Sequence, residues 1–356
     1  MMRNPVRLSL AAAHTLALQA LLGSGVSPAH ADAIAGNVMA AERDGCAAHG
    51  LFRLPGYIRS VQNLKVSRDA VPQINDLAPA VLQVDGNNGF APLALRIGQR
   101  SLVDKARRCG IAAMAVTRIY HFGALWVEVE ALALEGLVAF AFTQSSSAVA
   151  PAGATKPLFG TNPMAFAWPR VGRPPLVFDQ ASSMTARGEL LLHLRDGKAI
   201  PEGWAVDSTG GATTDAAAAL AGAQLPFGGY KGASIALMIE LLAGALIGEA
   251  FGFEAAARDN NDGGPALGGE LIIAIDPAHF MAQGSSQQQL AHAELLFARI
   301  LGLEGARLPS DRRYAARERS LLDGVLLPGA LHAELLGMVN ASGLATLRGG
   351  CTPDVQ

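Results

Sequence analysis

Cysteine is scarce in this chain and carries no pattern. Cys46, Cys109 and Cys351 are odd in number and far apart, which excludes a disulfide framework and a C-x-x-C zinc site and points to a reducing compartment. Charge is also sparse and balanced: Asp, Glu, Lys and Arg make up 16% of the residues and the net charge is -2, so no global field draws the chain to nucleic acid or to an anionic membrane. No uninterrupted apolar run is long enough to span a bilayer. Missing too are G-x-G-x-x-G, the phosphate loop G-x-x-x-x-G-K-[ST] and the zinc motif H-E-x-x-H, which argues against the ordinary Rossmann and P-loop folds and leaves no metal expected.

What is present is apolar residues, 50% of 356, enough for two or three domains of a compact enzyme or oligomer. The N-terminus has two readings. Arg3 and Arg7 ahead of an apolar run, with Ala29-His30-Ala31 as a small-residue cleavage site, fit a secretory signal. Residues 16–22 stopped by Gly23 and Gly25, then Ser27-Pro28 as a helix start and Asp44-Gly45 as its end, fit two packed helices. The cap signals favour the helix pair, and with it a cytoplasmic protein.

Further on, 97–108 reads as a helix capped by Gly110, 111–116 as a buried strand, 125–135 as a helix stopped by Gly136, and 137–142 as a strand. Strands are expected at 176–178, 190–194 and 271–275, and an apolar core helix at 233–247 ended by Gly248. Amphipathic helices at 287–301 and 330–339 suggest that the C-terminus packs back onto the N-terminal helices.

The most informative stretch is His49-Gly50-Leu51-Phe52-Arg53. Four residues are one helical turn, so a helical segment would present both side chains on one face. Histidine gives or takes a proton near neutrality, and the arginine fork fits a carboxylate. Gly228-Gly229-Tyr230-Lys231-Gly232 stands just before the apolar helix, where backbone amides, the helix dipole and an ammonium converge on a phosphate; a glycine-rich turn with an exposed lysine reads equally well. Arg307, Arg312 and Arg313 could hold an extra phosphate, although by itself such a cluster reads rather as a solvated loop. His121-Phe122-Gly123-Ala124-Leu125-Trp126 sets a histidine on a tight turn open to close approach. Phe159-Gly160-Thr161-Asn162-Pro163 is a turn whose Thr161 hydroxyl suits a ligand, while Asp179 and Glu189, flanking Arg187-Gly188, could orient a histidine.

In this order these segments resemble the malate/L-lactate dehydrogenase family that lacks the ordinary Rossmann fold, over most of the chain. Its carriers are Arg43-Asp44-Gly45, the run from His49 to Tyr57, the 159–163 turn, Phe178-Asp179, Leu225-Pro226-Phe227-Gly228-Gly229 with Lys231-Gly232, and Arg307-Leu308-Pro309 with Asp311-Arg312-Arg313. Within it, 121–126 and 225–232 are most similar to the branch reducing Δ1-piperideine-2-carboxylate and Δ1-pyrroline-2-carboxylate. The resemblance implies an α/β protein with a helical domain from both chain ends (1–75 with 285–345), an α/β connecting region (76–120) and a non-Rossmann NADP-binding domain with a mainly antiparallel sheet (121–284).

It also implies NADPH-dependent reduction of a small cyclic imino acid to L-pipecolate or L-proline by a homodimer, with no nucleic-acid or membrane partner. His49 matches the proton donor and Glu189 the relay carboxylate; Arg53 matches the substrate-carboxylate clamp, and Thr161, Arg187 and Gly188 further substrate contacts. His121, Phe122, Gly123, Ala124, Leu125, Asp179, Gln180, Ala181, Tyr230, Lys231, Arg307, Leu308, Pro309, Ser310, Asp311, Arg312 and Arg313 match the cofactor site. Two positions depart from relatives. Ala48 stands where they carry serine, and a lost orienting hydrogen bond raises a barrier by on the order of 1 kcal/mol. Glu189 stands where malate and lactate branches carry lysine, which favours the imino-acid branch. A 2-hydroxy-acid dehydrogenase and a catalytically impaired cofactor-binding homologue are the alternatives.

Overall fold

A computed structural model describes residues 4–121, 123–282 and 285–348, with the helix path alone over 340–348. Phe122 and Cys351 therefore lie outside the described residues, whereas Cys46 and Cys109 are free thiols. The chain divides into two compact units: 1–69 with 261–265 and 313–356, and 70–260 with 266–312. The sequence reading set its limits at 75 and 285. The return to the first unit begins at Arg313 because the helix Ser286–Leu301 is held in the second, where Arg170 pairs with its Glu294 at 2.7 Å and lies over its Phe297 ring.

The first unit is built from helices Leu10–Gly23, Pro28–Arg43, Leu54–Gln62 and Gly329–Arg348, and from antiparallel strands Val6–Leu8 and Val325–Leu327. Ser9 caps the first helix, its side chain accepting from Ala12 N–H at 3.1 Å. That helix buries Ala13, Leu16, Ala17, Ala20 and Leu21 and packs on Pro28–Arg43 and Gly329–Arg348. Asp44 ends the second helix and is buried among Arg43, Arg313 and Arg317, at 2.7, 3.2 and 2.6 Å. Burial alone would raise its pKa, but hydrogen bonds from Arg317 and Arg43 hold it below the usual value.

The second unit carries a seven-stranded sheet in the order Gln73–Ala78, Val81–Phe90, Ile111–His121, Ala266–Ile275, Val138–Thr143, Met164–Trp168, Leu176–Gln180. All neighbours are antiparallel except Val81–Phe90 with Ile111–His121. That parallel pair is joined by the helix Ala91–Cys109, as a crossover requires. The helix lies close on the sheet at Gly98, where a Cβ would stand 2.4 Å from Met114 Sδ. Besides a register shift between Asp76 and Ala78 at the edge, the sheet is irregular along one line across its middle strands. Register shifts fall between Asp85 and Gly89 and between Gly268 and Glu270, and Arg118 has a φ of 50°. Such bulges re-aim a strand end, here the end bearing His121.

Three expectations change. Residues 190–194 are not a strand but part of the helix Arg187–Arg195. Leu190 buries against Ile200, Ala205, Ala216 and Ala219 while its neighbouring leucines do not, which is helical periodicity hidden in a short apolar run. The apolar helix is Tyr230–Ala243, broken at Gly244 and continued as a single turn, Ala245–Ile247. It is not core on all sides, since Leu237, Met238, Leu241 and Leu246 are exposed. By length and composition alone Tyr230–Ile247 could cross a membrane. Within it, however, Glu240 is buried and hydrogen-bonded to Asn162 and Gly252. The third change concerns His49 and Arg53.

Candidate active site

His49 and Arg53 do not share a helical face. They end two separate 3-10 turns, Ala47–His49 and Leu51–Arg53, parted by Gly50 at φ -85° and ψ -149°. The cause is Glu42: its carboxylate accepts from Leu51 N–H at 2.9 Å and stands 2.0 Å from where a Gly50 Cβ would lie. The turn then folds Arg53 back, so that its Nε–H donates to the Ala48 carbonyl at 2.6 Å and its guanidinium plane is fixed. Arg53 is buried and His49 half-buried. Ala48 thus orients the Arg53 guanidinium through its backbone carbonyl.

Both of these residues lie in the first unit. In the second, the other candidates converge on the strand Leu176–Gln180 and its continuation. Asp179 accepts from Trp126 N–H at 3.1 Å, which ties the start of the helix Trp126–Leu134, just after residues 123–125, to that strand. Ser310, at a φ of 76°, exchanges hydrogen bonds with Val177, accepting from its N–H at 3.0 Å and donating to its carbonyl, which staples the 307–312 loop to the same strand. Asp311 closes that loop by accepting from Leu308 N–H at 2.8 Å. Arg307 and Arg312 are exposed on it. Arg313 belongs to the first unit, where its guanidinium is drawn to Asp44.

The glycine turn before Tyr230–Ala243 packs on residues 182–184. Phe227 N–H donates to the Ser182 carbonyl at 3.1 Å, and Met184 N–H to the Leu225 carbonyl at 2.8 Å. Gly228 and Gly229 have φ of 56° and 63°, a conformation open to glycine. The helix start has no side-chain cap, and Tyr230 and Lys231 beside it are exposed. A helix N-terminus of this kind, with a lysine next to it, suits a phosphate.

Thr161 is locked by its neighbours. Its N–H donates to Ser145 Oγ at 3.0 Å, and its hydroxyl lies 3.2 Å from the same oxygen. Asn162, left-handed at φ 37° and fully buried, donates to Glu240 at 2.9 Å and to the Ala236 carbonyl at 3.0 Å. Glu240 also accepts from Gly252 N–H at 2.9 Å, so one buried carboxylate anchors the whole turn. Arg187 and Gly188 open the helix that carries Glu189. Glu189 lies 3.8 Å from His193 one turn on, whose Nδ1 is 2.9 Å from the Ala199 carbonyl. The histidine beside Glu189 within its own unit is His193, and Asp179 lies within electrostatic reach of His121; neither of these is the proton-donor candidate His49.

The His121 ring turns inward. Its Nε2 lies 3.3 Å from Glu270 and 3.8 Å from Glu128. Burial lowers its pKa, but Glu270, Glu128 and Asp179 outweigh this and raise it; burial pushes Glu270 up to about 8. Sequence reasoning missed Glu128, Glu240 and Glu270. The signal was there for two of them, a lone carboxylate inside an apolar helix or strand, since such a charge is buried only with a purpose.

A model of the malate/L-lactate dehydrogenase family matches residues 8–336. The chain belongs to that family. It is 53% identical, over 94% of its length and 99% of the relative's, to a Δ1-pyrroline-2-carboxylate/Δ1-piperideine-2-carboxylate reductase of Pseudomonas aeruginosa. It is 45% identical, over 92% of its length and 96% of the relative's, to a (2R)-3-sulfolactate dehydrogenase (NADP+) of Chromohalobacter salexigens. The crystal structure of Δ1-piperideine-2-carboxylate reductase from Pseudomonas syringae superposes with a TM-score of 0.86 at 40% identity, covering 94% of this chain and 99% of that one. The α/β fold with a mainly antiparallel sheet is thus the family's, and the chain is a pyridine-nucleotide oxidoreductase by descent.

Proposed function

We propose that the protein reduces cyclic imino acids, Δ1-piperideine-2-carboxylate to L-pipecolate and Δ1-pyrroline-2-carboxylate to L-proline, with NADPH. The observation that carries this is the 53% identity, along nearly the whole of both chains, to a reductase of that name. Glu189, where the malate and lactate branches have lysine, supports the same branch.

The residues present fit a dinucleotide. The left-handed pair Gly228-Gly229, the uncapped helix start and Lys231 suit a phosphate, and exposed Arg307 and Arg312 suit the additional phosphate that distinguishes NADPH. The cofactor, when bound, supplies a hydride to the ring carbon of the imine. His49 gives the balancing proton to the ring nitrogen. Arg53, held in plane by Ala48, takes the substrate carboxylate. Thr161, rigid through Asn162 and Glu240, adds a second contact without reorganising. Glu189 serves as the carboxylate of the proton relay.

We also propose a homodimer in the cytoplasm. The exposed apolar face of Leu237, Met238, Leu241 and Leu246 supports the first. The packing of Leu10–Gly23 onto two other helices, which a cleaved signal would forfeit, supports the second. Light scattering of the purified protein tests the dimer, and intact mass the N-terminus.

The 45% identity to an NADP+-named sulfolactate dehydrogenase favours, as a second reading, a 2-hydroxy-acid dehydrogenase. Initial rates of NADPH and NADH oxidation with piperideine-2-carboxylate, pyrroline-2-carboxylate, pyruvate, oxaloacetate and 3-sulfopyruvate separate them. Turnover of the imines with NADPH is expected. Turnover of the 2-oxo acids alone would overturn the imine reading.

A further inference from the structure

Three donor side chains meet inside the second unit. His121 ends the strand Ile111–His121, Glu128 lies in the first turn of Trp126–Leu134, and Glu270 sits at the centre of Ala266–Ile275. Their side chains are 9%, 7% and 0% exposed. His121 Nε2 and all four carboxylate oxygens are buried without a hydrogen-bond partner. One donor atom from each residue falls within 4.8 Å of the others.

Two buried carboxylates beside one imidazole are costly unless something neutralises them. A proton shared between His121 and Glu270 would draw them to about 2.7–2.9 Å, as charge-assisted hydrogen bonds do. The observed 3.3 Å is longer. It matches instead the edge of a coordination tetrahedron, about 3.3 Å for bonds of about 2.0–2.1 Å to nitrogen and oxygen. The His121–Glu128 edge is longer, at 3.8 Å. A divalent ion would also bring the two carboxylates to neutrality.

We propose that His121, Glu128 and Glu270 bind one divalent transition-metal cation per chain, zinc or manganese by donor type. Linear spacing did not reveal the site because each ligand comes from a different element. The ion would clamp the end of one strand, the start of a helix and the central strand together, immediately before residues 123–125. Its role is structural, since the His121 ring faces away from solvent and its ligands are not those assigned to hydride or proton transfer.

The experiment is titration of the chelator-treated full-length protein with zinc chloride and with manganese chloride, followed by calorimetry and by thermal melting. One saturable site is expected, with Tm raised by about 5 °C at saturation. His121→Ala and Glu270→Gln should each weaken it by on the order of 100-fold. Glu128→Gln, at the helix start, is the milder variant should the others fold poorly. Cobalt added to the wild-type protein should give the visible absorption of a low-symmetry nitrogen–oxygen site. Absence of saturable binding to the wild type, or binding that survives all three substitutions and so belongs to surface histidines, would overturn the proposal.

Discussion

At the scale of single residues, the proposed chemistry turns on how Ala48 and Arg53 are joined. A hydrogen bond from Arg53 Nε to the Ala48 carbonyl fixes a planar fork, and a lysine ammonium has no such plane. Arg53→Lys should therefore raise KM for the imino acid by roughly tenfold to a hundredfold, on a loss of about 1.5–3 kcal/mol per charged hydrogen bond, with KM for NADPH unchanged in steady-state kinetics. Ala48→Ser keeps that carbonyl and restores a hydroxyl beside His49. It should increase kcat by about fivefold, the equivalent of about 1 kcal/mol, with NADPH affinity unaltered by fluorescence titration. An unchanged kcat would mean that the relay does not pass through position 48. That His49 and Arg53 lie close together in the chain was legible in residue types, but not that they end separate turns. The fold of the turn was not, because it depends on Glu42 filling the space that only Gly50 leaves.

At the scale of elements, local signals worked where caps and glycines stand at helix ends. Ser27-Pro28, Asp44 and Gly110 mark boundaries seen in the structure. They failed where an apolar run was too short to show its period, as at Leu190, or where it was apolar for a reason other than burial, as in Tyr230–Ala243. Glu240 on that helix holds the turn carrying Thr161 through Asn162 and Gly252. Glu240→Leu leaves buried donors unmatched and should cost about 2–4 kcal/mol. Urea titration should show it as a lower midpoint, and a larger loss of kcat/KM for the imino acid than for NADPH binding should accompany it. Equal loss of both would mean that the turn does not position substrate.

At the scale of the whole molecule, two buried aspartates of the first unit should contribute to stability that acid removes. Burial would raise both, but Arg317 and Arg43 lower Asp44, and Lys65, Gly264 N–H and Ser60 lower Asp262, from an ordinary value of 3.8. Folded pKa values below the unfolded ones contribute stability in full above the unfolded value, and that contribution is lost as pH falls through the folded values. Denaturant midpoints should thus hold above about pH 5 and drop below about pH 4, and Asp44→Asn should lower the neutral midpoint and flatten the drop. The sequence by itself determined the family, the helical ends and the glycine turn, because order of motifs and end-caps are local properties of a chain. Tertiary structure alone decided that Arg313 serves Asp44, that the Trp126 helix start and the 307–312 loop are both held on Leu176–Gln180, and that His121, Glu128 and Glu270 meet. Those are pairings between residues far apart in sequence, and burial on folding is what makes them strong.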